Sequence, residues 1–257
     1  MLSAFGRVVK TADLRRKLLF TLAMIVLYRV GTFIPAPGVS YGNVQQCLNA
    51  NVTSGGVYDI VNLFSGGALL QLSIFALGVM PYITASIIIQ LLRVVIPRFQ
   101  ELHDEGAQGQ AKLTQYTRYL TIALALLNAT TIVSMARSGV LLGNCPGIIP
   151  QDDVLHILLI IVTLCAGTTV IMWMGEQITE RGVGNGMSLL IFTSIASSFP
   201  SALGSIQRTH GWGIFVAVCG IGLLVMLAVV YVEQSVRRIP VQYAKRMIGR
   251  RTIGGTS

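Results

Sequence analysis

The residues able to do chemistry are few and poorly placed for it. His103, His156 and His210 are the three histidines of a 257-residue chain, and acid–base catalysis needs such a group within hydrogen-bond reach of a partner. The apolar segments around them put His103 in one loop, His156 at a helix end and His210 in an opposite loop, so none shares a membrane level with a partner. Asp152 and Asp153 precede an apolar run, where a helix N-terminus favours acids. The cysteines at 47, 145, 165 and 219 have no metal-site spacing. They read as inert thiols, although an oxidising outer side would permit a Cys47–Cys145 bridge. No HExxH, GxSxG or nucleotide loop occurs. The glycines of GEQITERGVGNGMSLLIF, residues 175–192, resemble a phosphate loop only superficially, because no strand precedes them and no Lys-Ser or Lys-Thr pair follows. Glu176, Glu180 and Arg181 instead mark a tight polar turn. What remains is apolar and periodic: Met187 and Ile191 share one helix face, as do Val79 and Ile83 around Pro81. This is not the pattern of an enzyme, and it calls for no cofactor.

The elements that carry these residues are membrane spans. Hydrophobic residues make up 53% of the chain and charged ones 11%, against roughly 25% charged in soluble domains. The pattern predicts an all-α polytopic membrane protein with six spans, about 17–36, 74–96, 117–136, 154–175, 184–202 and 212–233. Sixteen of the nineteen Lys and Arg residues fall on one side of those spans, which makes that side and both chain ends cytoplasmic. Arg29 lies inside the first span near its outer end, from where its side chain would snorkel outward. Residues 1–16 form a cytoplasmic interfacial segment, with Leu2, Phe5, Val9 and Leu14 against lipid. Topology accounts for most of the net charge of +9, and anionic lipids are its natural partners.

One stretch departs from simple spanning. Residues 63–92, LFSGGALLQLSIFALGVMPYITASIIIQLL, carry no charge, yet Gly66, Gly67, Gly78 and Pro81 each oppose a continuous helix. The piece 60–72 is too short to cross a bilayer. Broken helices also occur in secondary transporters, but a transporter should place ionisable groups at the break, and here it presents Val79, Met80 and Ile83.

Four segments together carry a resemblance: NLFSGGALLQLSIFALGVMPYITASIIIQLL, LTQYTRY, MWMGEQITERGVGNGMSLLIF and RRIPVQYAKRMIGRR. In this order they closely resemble the bacterial SecY family, the channel-forming subunits of the protein translocase, and the likeness covers the whole chain. The resemblance implies a ten-helix fold of two inverted halves clasped around an hourglass pore. Residues 17–202 then correspond to the first five-helix half, and 203–257 to the sixth helix and a basic cytoplasmic loop. The second half of such a fold would lie beyond Ser257.

Residue by residue, the resemblance places Val79, Ile83, Met187 and Ile191 in an apolar pore ring. Aliphatic side chains suit a constriction that dewets against ions without trapping a passing polypeptide. Counted from helix starts near 74 and 184, Ile83 and Ile191 lie about 15 Å and about 10 Å along their helices, toward the bilayer middle. The piece 60–72 becomes a loosely packed plug, in which Asn62, Phe64, Ser65, Gly66, Gly67 and Gln71 suit a removable stopper in a wet vestibule. Thr84, Ser86, Gln90 and Tyr116 become polar points of one lateral-gate wall, where interhelical hydrogen bonds average about 0.6 kcal/mol. Arg237, Arg238, Lys245, Arg246, Arg250 and Arg251 would meet ribosomal RNA phosphates or an acidic SecA surface. The implied partners are the small subunits SecE and SecG, the SecA motor, the ribosome, signal sequences and nascent polypeptides. The implied location is the bacterial plasma membrane.

Overall fold

The computed structural model describes residues 12–40, 42–44, 46, 66–69, 71–139, 153–235, 246–248 and 251–253. The chain divides into two compact units, Met1–Pro200 and Ser201–Ser257. Helix α1, Ala12–Phe33, takes in residues 12–16, so these belong to the first helix rather than to a separate interfacial segment. It stops ahead of Pro35 and Pro37, which cannot donate the next helical hydrogen bonds.

The second predicted span is shorter than the sequence suggests. Residues 74–79 are turns, and α2 covers only Met80–Val95, 16 residues. Gly78 takes a left-handed φ of 57°, which a continuing helix does not allow, and Pro81 sits in the first turn, where its missing N–H costs nothing. At about 1.5 Å per residue α2 is about 24 Å long, less than the roughly 30 Å hydrocarbon core. At the other end Ile96 is extended, as a residue before proline prefers. Pro97 then opens the short helix α3, Pro97–Asp104, bent 101° from α2.

Helix α4, Ala107–Arg137, begins ten residues before the predicted 117, because its polar first turns are good helix formers. Helix α5, Val154–Arg181, starts from Asp153 as its N-cap residue and ends at Gly182. The run Gly186–Glu233 leaves helical geometry at Gly211 and therefore comprises α6, Gly186–Arg208, and α7, Gly211–Glu233. Strands β1, Arg246–Ile248, and β2, Arg251–Ile253, pair antiparallel, with Arg246 opposite Ile253 and Ile248 opposite Arg251.

Among the described residues, α4, α5, α6 and α7 are long and apolar enough to cross a membrane, and the bent α2–α3 pair brings the count to at most five. Helix α1 is not among them; it carries Arg15, Arg16, Lys17 and Arg29 within its 22 residues. The six predicted spans are therefore matched in part.

In the first unit, α2 packs on α3 and α4, α4 on α5, and α1 on α5. The connector, described at 66–69 and 71–79, runs through the middle of this arrangement. Its Leu69, Leu72, Ala76 and Leu77 are buried with Ala125 and Ala129 of α4 and with Ile160 and Leu164 of α5. Its Phe75 and Val79 join Met24 and Tyr28 of α1, Ile171 and Ile178 of α5, and Met187 and Leu190 of α6. Non-helical backbone at such a place needs its polar groups satisfied. The Ala36 N–H donates to the Leu72 carbonyl and the Ile74 N–H to the Ile34 carbonyl, both at 2.9 Å.

Candidate pore and gate site

The ring residues come from two helices whose starts are set by glycines. Ile83 stands in the first turn of α2, just beyond Gly78, and Met187 and Ile191 in the first turns of α6, just beyond the turn that follows Gly182. Ile83, Met187 and Ile191 line one cavity of about 470 Å³ between α2, α4, α5 and α6. Val79 does not line it: it is 4% exposed and packs into the apolar cluster with Phe75 and Tyr28. Because α2 starts at Met80, Ile83 lies only about 5 Å along its helix. The larger axial offset expected from a start near 74 is not present.

Ser86 and Gln90 line the same cavity, with Gln90 Nε2 3.5 Å from Ser86 Oγ. A second cavity, about 110 Å³, follows the seam between α2 and α4 past Gln90, Thr114 and Thr117. Thr84 turns away, donating to the Met80 carbonyl at 3.0 Å. Tyr116 is exposed and packs against Phe99 of α3, ring centroids 5.6 Å apart. Two of the four gate positions thus meet at the cavity and two do not.

The cavity also holds charges that its apolar neighbours gave no reason to expect. Arg118 of α4 donates from Nε to Glu176 Oε1 at 2.9 Å and from Nη2 to Oε2 at 2.8 Å. Glu176 is only 16% exposed and Arg118 39%. Two parallel charge-assisted bonds of this kind fix orientation as well as distance, and they tie α4 to α5 at the cavity wall. Read alone, Arg118 marks the cytoplasmic side and Glu176 a turn; 58 residues separate them, and no local pattern pairs them.

Part of the expected plug lies among the described residues. Gly66, Gly67 and Gln71 lie in the connector, whose Ala68, Leu69 and Leu72 are among the most buried of the described residues. In this described part of 60–72, Leu69 and Leu72 pack against residues of α4 and α5. Arg29 does not snorkel: its Nη1 donates to the Gly66 carbonyl at 2.8 Å, since a backbone acceptor lies within reach.

A SecY family profile matches residues 73–257. The chain belongs to the SecY family. It is 63% identical over 257 residues to the protein translocase subunit SecY of Micrococcus luteus, covering all of this chain and 59% of that one. The chain thus spans about three fifths of the length of the curated relatives it matches. Among solved structures it is similar to the channel of a canine ribosome-channel complex from the endoplasmic reticulum, with a TM-score of 0.56 and 20% identity. That match covers 88% of this chain and 49% of the canine one. A second similar structure shows that the plug domain of SecY stabilizes the closed translocation channel and maintains a membrane seal. It has a TM-score of 0.55 and 21% identity, and covers 96% of this chain and 52% of that one.

The SecY fold and a multi-pass membrane character follow for this chain. Several predicted positions lie outside the described residues of this SecY-family chain: Asn62, Phe64 and Ser65 of the plug, and Arg237, Arg238, Lys245 and Arg250 of the basic loop. Cys47 and Cys145 do as well, whereas Cys165 and Cys219 are free thiols within helices. Of the basic loop, Arg246 and Arg251 stand in the β1–β2 ribbon.

Proposed function

We propose that this chain is the pore-forming part of a protein-conducting channel that passes unfolded polypeptides across the bacterial plasma membrane and releases membrane segments sideways into lipid. The observation that carries the proposal is the meeting of Ile83, Met187 and Ile191 at one cavity, although they belong to helices far apart in sequence. An apolar constriction of this kind excludes ions by dewetting yet offers a sliding chain no fixed polar partner. Met187, unbranched and flexible, adapts to changing width. Ser86 and Gln90, on the same cavity, provide weak polar contacts that a gate wall can exchange for those of an entering segment.

The partners fitting this reading are SecE and SecG in the membrane, SecA or the ribosome on the cytoplasmic side, signal sequences and nascent polypeptides in the channel, and anionic lipids around it. The excess of Lys and Arg on one side supports a cytoplasmic N-terminus. Work is supplied by the motor, the ribosome or the membrane potential, and this chain performs no catalysis.

The test is resting conductance. In the full-length protein reconstituted into planar bilayers, Ile83→Gly together with Ile191→Gly should raise resting ion leak about tenfold or more, because two aliphatic walls of the constriction are removed. A leak equal to that of the parent protein would remove the constriction from these residues.

A further inference from the structure

We infer that Arg29 is a positioning residue for the constriction: by holding the Gly66 carbonyl it sets the spacing between Ile83 of α2 and Ile191 of α6. The inference rests on the channel reading above. Arg29 is a half-buried cation in the penultimate turn of α1, and among the described residues no carboxylate lies within ion-pair distance of it. Its guanidinium instead meets three neutral groups. Nη1 donates to the Gly66 carbonyl at 2.8 Å, and Cζ lies 4.7 Å from the Phe33 ring centroid. The buried Thr32 hydroxyl, 3.5 Å from Nη1, donates to the Arg29 carbonyl at 2.7 Å and so holds a fixed place beside the guanidinium.

The acceptor is equally constrained. Gly66 has a φ of 66°, a conformation that side-chain-bearing residues rarely adopt. A β-carbon there would stand 3.2 Å from Ser197 Oγ and 3.3 Å from the Ser194 Cα. Gly66 is thus pressed against α6 on one side and gripped by Arg29 on the other. Ser194 lies three residues beyond Ile191, about one turn along the same helix. From Gly66 the connector runs to Val79, the N-cap residue of α2, four residues before Ile83. It therefore links the helix that carries Ile191 to the helix that carries Ile83, and its far end at Gly66 is held to α1 by a charge-assisted bond, stronger than a neutral one. Tyr28, the neighbour of Arg29, reinforces this by stacking on Phe75 of the connector and bonding Ser194 of α6.

The experiment uses the full-length channel with its small subunits in proteoliposomes. It reads resting ion leak and transport of two precursors, one with an intact and one with a weakened signal sequence. Arg29→Gln, which removes the charge, should raise the leak about tenfold and let the weakened precursor through, with the intact one transported at the parent rate. Arg29→Lys, which keeps a charged donor, should stay within about twofold of the parent. A gain of transport is an effect that mere damage to folding does not produce. Thr32→Val, which removes the hydroxyl beside the guanidinium, should shift the leak in the same direction by less. Arg29→Gln with parental leak and parental rejection of the weakened precursor overturns the inference. So does a general loss of transport in Arg29→Gln together with a parental Thr32→Val. Ile83→Gly, measured alongside, separates the two claims: if it leaks and Arg29→Gln does not, the positioning role falls and the channel reading stands; if neither leaks, both fall.

Discussion

Arg118 and Glu176 face each other across the α4–α5 seam in a two-pronged ion pair, Nε to Oε1 at 2.9 Å and Nη2 to Oε2 at 2.8 Å. With Glu176 largely shielded and Arg118 partly open, the pair stands between an exposed pair of little value and a buried one whose partners are costly to separate.

Glu176→Gln or Arg118→Gln alone should therefore lower stability by about 1–3 kcal/mol, because each leaves a half-buried charge without its counter-ion. The double substitution should cost less than the sum of the two, with a coupling of at least about 0.5 kcal/mol. Denaturant unfolding of the full-length protein in detergent measures all three. Strict additivity would show that the pair contributes no energy of its own.

A second prediction turns on which group donates. Ser194 Oγ donates its one proton to the Leu190 carbonyl at 2.9 Å, so in the 2.7 Å contact with Tyr28 the phenol is the donor. Tyr28→Phe then leaves Ser194 satisfied and should cost about 1 kcal/mol. Ser194→Ala strands a fully buried phenol hydroxyl and should cost more, about 1–3 kcal/mol. Equal losses in thermal unfolding would contradict this assignment.

The basic loop yields a third. If Arg250 and Arg251 meet ribosomal RNA phosphates, Arg250→Gln with Arg251→Gln should weaken ribosome binding and make it less steep in salt. Loss of two phosphate contacts lowers the slope of log affinity against log salt by roughly 2. Co-sedimentation of the reconstituted channel with ribosomes across a salt series reads both. An unchanged slope would assign these arginines to topology alone.

Much of this protein was legible without coordinates. The uncharged run 63–92 and the one-sided Lys and Arg determined a polytopic helical membrane chain, because hydropathy and charge asymmetry are local quantities that a bilayer reads directly. Gly78 and Pro81 announced the break before α2, since each restricts its own backbone wherever it stands. Whole motifs carried the family resemblance, and the family profile agrees with it. The tertiary structure alone decided the rest. It turned Val79 into the core while leaving Ile83 on the cavity, started α2 at Met80, and buried Leu69 and Leu72 of the connector. It also joined Arg118 to Glu176 and Arg29 to Gly66. Those outcomes depend on which faces five helices turn toward one another, and spacing along a single helix says which residues share a face but not what that face meets.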